Sequence, residues 1–393
     1  MFVANPYPLG SSQSGKEAEI TPEQKVSFVR TGAMAVVALI LAGLVGIATH
    51  ASKNQRPALA LPINEPRCSQ SPTATPALKP VSVQVVNDGV GVLIVAKVCV
   101  DGYGPFPFMV DTGASRSAIS LRLAAALHLL KVGGAQRISG IACTTNATPY
   151  RVPSWSMGPL TLDSQTVLGV NLADSKDGRP GIAGLLGSDV LSRFDAVRVD
   201  YLTSTMTLLH PEHGPPSEPG IINFSTPQLP SSFTGPTSGP PLELSVIETS
   251  DFTTALVSAE MAGAATNFIV DTGAAISALD QTDSRTLAKV GRTLPLTTAG
   301  CVYNAEVVTS SGWKIGGGPP FLGLLGSSSS DPGSDRQISV PATSLVEVPL
   351  PESGDSPIHI QGSLGENVLA GFHSIVLDYQ DAALLLGGPG RTS

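Results

Sequence analysis

The stretch FMVDTGASRSAIS at residues 108–120 is repeated almost unchanged as FIVDTGAAISALD at residues 268–280. Each copy carries Asp-Thr-Gly after a Phe-apolar-Val run, and the two aspartates are Asp111 and Asp271. A single Asp-Thr-Gly is weak as a signal, because Asp caps ordinary turns and Gly supplies a positive φ in them. Two copies in the same apolar context indicate a functional site that needs both.

The similarity between the two halves extends beyond this motif. Each copy follows a predicted hairpin, which turns at Asp101-Gly102 in the first half and at Ala262-Gly263 in the second. Each is followed by a predicted short helix, LRLAAALHLL from residue 121 and SRTLAKV from residue 284. Each half closes with a matching block, LLGSDVLSRFDAVRVDYLTSTMTLL and SLGENVLAGFHSIVLDYQDAALLL, in which these residues align: Gly187 with Gly365, Phe194 with Phe372, and Tyr201 with Tyr379. The pattern predicts an internally duplicated β protein.

Composition agrees with an all-β chain. The 393 residues include 41 glycines and 33 prolines, while only 14% are charged, which favours strands and turns over surface helices. The net charge is -8 and no basic patch stands out, so nucleic acid is not expected as a partner.

Changes in composition divide the chain. Residues 1–31 are polar and are predicted to form a disordered cytoplasmic tail, and the Pro-rich residues 50–80 an extended stalk. Nine prolines within residues 211–241 indicate a linker. Between and after these segments lie two predicted lobes, residues 81–210 and 242–389.

Residues 32–49, GAMAVVALILAGLVGIAT, carry no charge and no proline and have about the length of a short membrane span. A buried core helix is disfavoured by the polar, Pro-rich flanks. A cleaved signal peptide, with a cleavage site near Thr49–Ala51, stays open, although about thirty residues precede the apolar run. We expect an uncleaved transmembrane signal anchor with the lobes on the extracytoplasmic side, although the basic residues on the two flanks nearly balance. Secretion after signal cleavage is the alternative.

The two lobes resemble the aspartic proteases of the pepsin and retropepsin superfamily. The resemblance rests on VDTGAS, VDTGAA and the GLLG element at residues 184–187, and it covers residues 81–389. It implies a bilobal acid-protease fold, in which two retropepsin-like β-barrel lobes form an internal pseudo-dimer after one transmembrane helix. The short lobes are more similar to the compact retropepsin type than to pepsin, but here both lie on one chain.

The resemblance also implies roles for the repeated residues. Asp111 and Asp271 would be the catalytic pair, which shares one proton because two adjacent carboxylates cannot both ionise. The implied catalytic-loop supports are Thr112, Gly113, Thr272, Gly273, Gly187 and Gly365. The threonines would bond across to the opposite loop, and the glycines would make room beside the carboxylates. No cofactor or metal is expected.

The substrate cleft in this family is closed by hairpin flaps, here residues 137–152 and a segment near residues 294–308. Candidate flap residues are Gly140, Ile141 and Gly300. Four cysteines without CxxC spacing make a zinc site improbable and suggest up to two disulfides outside the cytoplasm. The preferred pairing joins Cys143 to Cys301, at equivalent positions of the two flaps, and Cys68 to Cys99; the other pairings stay open.

The second lobe departs from the first at two positions near the motif. Ala275 replaces Ser115, and Asn367 replaces Asp189. The interval from Asp to the closing Gly is also 18 residues longer, and the predicted insertion is LGSSSSDPGSDRQ, a loop after Leu325.

The sequence therefore predicts a membrane-anchored aspartic endopeptidase that acts on peptides or proteins as a monomer. A catalytically weak pseudoprotease, which binds peptides or a protein partner in the same cleft, is the alternative. A serine hydrolase is disfavoured because no G-x-S-x-G elbow occurs.

Overall fold

Strands dominate the computed structural model, as the composition predicts. It describes residues 67–68, 80–87, 91–172, 181–209, 241–248, 252–298, 301–317, 337–350 and 360–388, which all fall within one compact unit. The predicted tail, anchor and inter-lobe linker, most of the stalk, and the loop after Leu325 lie outside these residues, apart from a few at their edges. Within the described ranges we find no helix with the length and apolar character of a membrane span.

Lobe 1 is taken as residues 81–209 and lobe 2 as residues 242–388. The strands described in lobe 1 are β1 (Val81–Asn87), β2 (Val92–Val100), β3 (Tyr103–Val110), β4 (Ala118–Ser120), β5 (Leu130–Lys131), β6 (Gln136–Gly140), β7 (Cys143–Val152), β8 (Trp155–Met157), β9 (Leu160–Leu162), β10 (Gln165–Val170), β11 (Gly184–Leu186), β12 (Ala196–Asp200) and β13 (Thr205–Leu209). Those described in lobe 2 are β14 (Leu242–Glu248), β15 (Thr253–Met261), β16 (Ala264–Val270), β17 (Ala278–Asp280), β18 (Ala288–Thr298), β19 (Cys301–Ser310), β20 (Trp313–Gly316), β21 (Gln337–Val340), β22 (Thr343–Val348), β23 (Gly362–Leu364), β24 (Ser374–Asp378) and β25 (Ala383–Gly387). The described helices are short: Leu121–Ala126, Ser188–Leu191 and Glu366–Leu369, with a 3-10 turn at Ser284–Thr286.

Both predicted hairpins form. β2 pairs antiparallel with β3, and β15 pairs antiparallel with β16. Asp101 and Gly102 both have positive φ, and so do Ala262 and Gly263, as a two-residue type I′ connection requires. Each hairpin delivers its second strand directly into an Asp-Thr-Gly motif.

One of the two predicted helices is wrong. The first forms as the shorter helix Leu121–Ala126, whose N-cap Ser120 accepts a hydrogen bond from the Leu123 amide. The second, SRTLAKV, gives only the 3-10 turn and then enters β18 at Ala288. A long antiparallel partner, β19, is available there, and such tertiary pairing overrides a weak local helix preference.

The same strand pairings frame the motif in each lobe. In lobe 1, β11 runs parallel to β3 and antiparallel to β4; in lobe 2, β23 runs parallel to β16 and antiparallel to β17. The motif phenylalanines Phe108 and Phe268 are fully buried. Their rings occupy the space that a Cβ at Gly184 or Gly362 would need, so a glycine at each of these positions lets the closing strand pack against the ring.

Six antiparallel strands form a sheet shared by the two lobes. Its order is β1, β13, β12, β24, β25, β14, so that each lobe contributes three strands. The lobes meet where β12 pairs with β24, from Ala196 opposite Asp378 to Asp200 opposite Ser374. One apolar core includes buried residues of both lobes, so this sheet and core fix the two motifs relative to each other.

Candidate active site

The two Asp-Thr-Gly loops lie against each other between the lobes. Asp111 and Asp271 are both buried, with 4% and 2% of their surfaces exposed. The Asp111 amide donates to the Leu186 carbonyl at 2.9 Å, and the Asp271 amide donates to the Leu364 carbonyl at 3.0 Å. Each aspartate is thereby fixed to the last residue of the closing strand in its own lobe.

The two threonines cross between the loops. The Thr112 hydroxyl donates to the Val270 carbonyl at 2.7 Å, and the Thr272 hydroxyl donates to the Val110 carbonyl at 2.8 Å. Each hydroxyl oxygen also accepts from the amide of the other threonine, at 3.0 and 3.1 Å. These four buried hydrogen bonds tie the loops together as the resemblance implied, and they restrict movement of one aspartate relative to the other.

Each motif glycine packs against the carboxyl of the opposite lobe. A Cβ built on Gly113 would overlap the Asp271 carboxyl, and a Cβ built on Gly273 would overlap the Asp111 carboxyl. Neither glycine has a positive φ. Space, and not turn conformation, is therefore the reason for glycine at these two positions, and the two carboxyls lie close together as a result.

The carboxyls interact electrostatically. Burial, which is the largest cause, together with the negative charge of Asp111 and a side-chain hydrogen bond with Asp111, raises the pKa of Asp271 to about 7. A buried carboxyl beside a second carboxyl keeps a proton at a pH where an exposed aspartate has lost it. One member of the pair can therefore keep a proton while the other is ionised, as shared-proton acid and base chemistry requires.

A serine supports the loop in each lobe. In lobe 1, the Ser117 amide and hydroxyl both donate to Asp189 Oδ1, at 2.7 and 2.6 Å, while the Gly187 amide donates to the Ser117 hydroxyl. In lobe 2, the Ser277 amide and hydroxyl both donate to Asn367 Oδ1 at 2.8 Å. The replacement of Asp189 by Asn367 thus retains the accepting oxygen.

Gly365 repeats the contact of Gly187, because its amide donates to the Ser277 hydroxyl at 2.9 Å. A Cβ on either glycine would come within 2.8 Å of the backbone of its own Asp loop. These serines were not selected from the sequence, although they occupy the same position in both copies of the motif.

Two tyrosines reach across the shared sheet to the residue after each closing glycine. The Tyr379 hydroxyl lies 3.0 Å from the Ser188 hydroxyl, and the Tyr201 hydroxyl donates to Glu366 Oε1 at 3.1 Å. Ser188 and Glu366 are equivalent positions with different side chains. Sequence alignment of the halves contained this difference, but it did not show that Glu366 is buried.

The first flap extends from lobe 1 onto lobe 2. It is the β6–β7 hairpin, and its tip includes Gly140, Ile141 and Ala142. The Ala142 amide donates to the Pro349 carbonyl of lobe 2 at 3.2 Å. Ile141 packs into an apolar cluster of lobe 2 that comprises Ile276, Ala278, Ala305, Val307, Val346 and Val348. The predicted second flap is the β18–β19 hairpin, and its candidate residue Gly300 lies outside the described residues.

The cysteines fall into two groups. Cys68 and Cys99 form a disulfide with a Cα–Cα distance of 6.3 Å, which attaches residues 67–68 to the first hairpin. Cys143 begins the second strand of the first flap, and its sulfur lies 3.1 Å from the hydroxyl of Thr298. Thr298 pairs with Cys301 in the β18–β19 ladder, so the backbone of the predicted partner is close, but the Cys301 side chain is not described.

Comparison with known proteins gives one matching family model and similar solved structures. Residues 96–190 match the family model described as Aspartyl protease. The match includes the first Asp-Thr-Gly loop and the first flap, and it confirms the resemblance to the aspartic protease superfamily. Among solved structures, a retropepsin-like aspartic protease from Rickettsia conorii is 22% identical, with 34% of this chain and 91% of that chain covered and a TM-score of 0.24. No curated protein matches the chain.

Proposed function

We propose that the chain is an aspartic-type endopeptidase in which Asp111 and Asp271 activate a water molecule for attack on a peptide bond. The observation that carries this proposal is the buried carboxyl pair, formed by one aspartate from each lobe and fixed by the crossed threonine hydrogen bonds. In this proposal the two lobes act as an internal pseudo-dimer, and a single chain is sufficient for activity.

The reaction follows from the single shared proton. The ionised member of the pair takes a proton from the water, and the neutral member donates its proton to the carbonyl oxygen of the scissile bond. The intermediate then collapses: the ionised carboxylate takes a proton from one hydroxyl as the carbonyl forms again and the C–N bond breaks, and the protonated carboxyl gives its proton to the leaving nitrogen. The pair is thereby left with one shared proton. Because the two groups titrate as a unit, loss of the shared proton at high pH stops the reaction.

The first test measures cleavage of a diverse peptide library by the full chain across acidic to alkaline pH, with and without a statine inhibitor. We expect statine-sensitive cleavage that declines above about pH 7, where Asp271 loses the proton that burial and Asp111 help it to retain. Cleavage that is insensitive to statine and constant into the alkaline range would contradict the mechanism. Peptide binding without cleavage would favour the pseudoprotease alternative.

We also propose that the enzyme is held outside the cytoplasm by an anchor at residues 32–49, with residues 50–80 as the stalk. The apolar run supports the anchor, and the Cys68–Cys99 disulfide fits an oxidising compartment. Protease accessibility of the chain in sealed vesicles tests this location. Digestion only from the cytoplasmic side would contradict it, and a soluble chain that lacks residues 1–49 would favour secretion.

A disulfide between Cys143 and Cys301 is the second proposed pairing. The short distance from the Cys143 sulfur to Thr298, the ladder partner of Cys301, supports it. Such a bond would join the two flaps and limit how far the cleft opens. Peptide mapping of the native protein without reducing agent should recover the 143–301 linked fragment and lose it after reduction; two free thiols would contradict the pairing.

A further inference from the structure

Glu366 is a third buried carboxyl at the site, and the catalytic scheme above does not use it. Its exposed fraction is 1%, and it begins the short helix that follows the closing glycine of lobe 2. The Glu366 amide donates to the Ala274 carbonyl, in the loop that carries Asp271, at 2.8 Å. Glu366 is therefore attached to the Asp-Thr-Gly loop of lobe 2 by its backbone.

The equivalent residue in lobe 1 shows what this position does there. The Ser188 amide donates to the Ala114 carbonyl at 2.8 Å, and the Ser188 hydroxyl donates to the Thr112 carbonyl at 2.9 Å. Lobe 1 thus places a neutral hydrogen-bond donor behind its Asp-Thr-Gly loop. Lobe 2 places a carboxyl at the same point.

The hydrogen bonds of the Glu366 carboxyl fit its neutral form. Oε1 accepts from the Tyr201 hydroxyl, whereas Oε2 is buried and has no hydrogen-bond partner. An ionised carboxylate needs donors at both oxygens when it is removed from water. With only one donor supplied, the structure favours a proton on this carboxyl, so that Glu366 resembles the neutral Ser188 of lobe 1.

The titratable groups that act on Glu366 are Tyr201 and Asp271. Burial raises the pKa of Glu366 well above its usual value, the Tyr201 hydrogen bond opposes this, and the charge of Asp271 raises it further. Glu366 is therefore still neutral when the catalytic pair is singly ionised.

We propose that Glu366 is a proton-holding residue beside the second Asp-Thr-Gly loop, neutral throughout the pH range in which the catalytic pair is active. As a neutral acid it adds no charge next to the loop that carries Asp271. Once ionised, it would be a buried charge with only one hydrogen-bond donor. The catalytic part of this inference rests on the proposed peptidase function.

Two substitutions test the proposal in the full chain. E366Q keeps the size of the side chain and cannot ionise. E366S places in lobe 2 the residue that lobe 1 has at Ser188, and it is the variant to measure if E366Q does not fold. Because Glu366 is neutral while the pair is active, we expect both limbs of the kcat/KM profile to coincide with those of the wild type in either variant. Glu260→Gln, on an exposed side chain beside Lys314, is the control for loss of one negative charge and should leave the profile unchanged.

Thermal unfolding provides a readout that does not require peptidase activity. A carboxyl with a raised pKa keeps its proton in the folded state after the unfolded chain has lost it, so wild-type stability falls as the pH rises above about 4.5 toward the folded pKa. The Tm of either variant minus that of the wild type should therefore increase between about pH 5 and about pH 8.

The two readouts separate the possible failures. A Tm difference that is independent of pH would overturn the proton-holding role. Movement of either limb in a variant would show that Glu366 titrates while the enzyme is active, and it would overturn the neutral role in catalysis. An inactive wild type would overturn the proposed peptidase function, and the unfolding data would then decide the proton-holding role alone.

Discussion

Asparagine in place of either Asp111 or Asp271 is expected to abolish peptide cleavage while the protein remains folded. Asparagine has nearly the same shape, and its oxygen can still accept the amide hydrogen bond that Ala114 gives Asp111, or Gly273 gives Asp271. It can neither take a proton from water nor hold the shared proton, and acid–base catalysis of this kind contributes about 10²- to 10⁴-fold. We therefore expect kcat to fall by at least that factor in either single variant, measured on a peptide that the wild type cleaves.

The control for these variants is Asp163→Asn, because the Asp163 side chain is 86% exposed. It removes the same charge and should leave kcat within experimental error of the wild type. Circular dichroism and thermal unfolding at acidic pH should show that the catalytic variants are folded. Turnover near the wild-type rate in a folded D111N or D271N would show that the two carboxyls do not act as a pair.

Alanine in place of Gly113 or Gly273 is expected to destabilise the protein and to eliminate activity. The new Cβ would overlap the opposite aspartate carboxyl, so the loops must separate or a carboxyl must rotate away. Overpacking of this kind costs about 1–3 kcal/mol in the free energy of unfolding. The displaced carboxyl would also leave the geometry that proton sharing needs, so activity should be lost even at temperatures where the variant is folded.

Denaturant unfolding measures the stability effect, and Gly134→Ala is its control. A Cβ on Gly134 meets no atom within 4 Å, so its effect on the free energy of unfolding should be within about 0.5 kcal/mol. A Gly273→Ala variant as stable and active as Gly134→Ala would mean that the loops do not pack as the structure places them.

The repeat itself made the paired loops predictable, because an Asp-Thr-Gly that occurs twice in the same context needs a partner. The hairpins were predictable for a local reason: Asp101-Gly102 and Ala262-Gly263 both fit a turn with two positive φ values. The strand that replaces the expected helix at residues 284–290 was not, because it forms by pairing with β19, the next strand along the chain. A local pattern contains no information on such a partner.

The surroundings of Glu366 and Ile141 could not be predicted for the same reason. Tyr201, 165 residues earlier and in the other lobe, donates a hydrogen bond to the buried carboxyl of Glu366. Ile141 was selected as a flap residue, but its contact with the apolar cluster of lobe 2 follows from how the lobes are joined. The sequence analysis selected Ile141 but not Glu366, and the tertiary structure determined the neighbours of both.

The pairing of β12 with β24 has a consequence for how the site responds to dilution. Both carboxyls come from one polypeptide, and the shared sheet joins their lobes, so a lower protein concentration does not separate them by mass action. Turnover per molecule should therefore be independent of concentration. The same arrangement allows the two sides to diverge, since a mutation alters one side only, whereas in a site built from two identical chains it would alter both. The difference between Ser188 and Glu366 is an asymmetry that a site built from two identical chains could not encode.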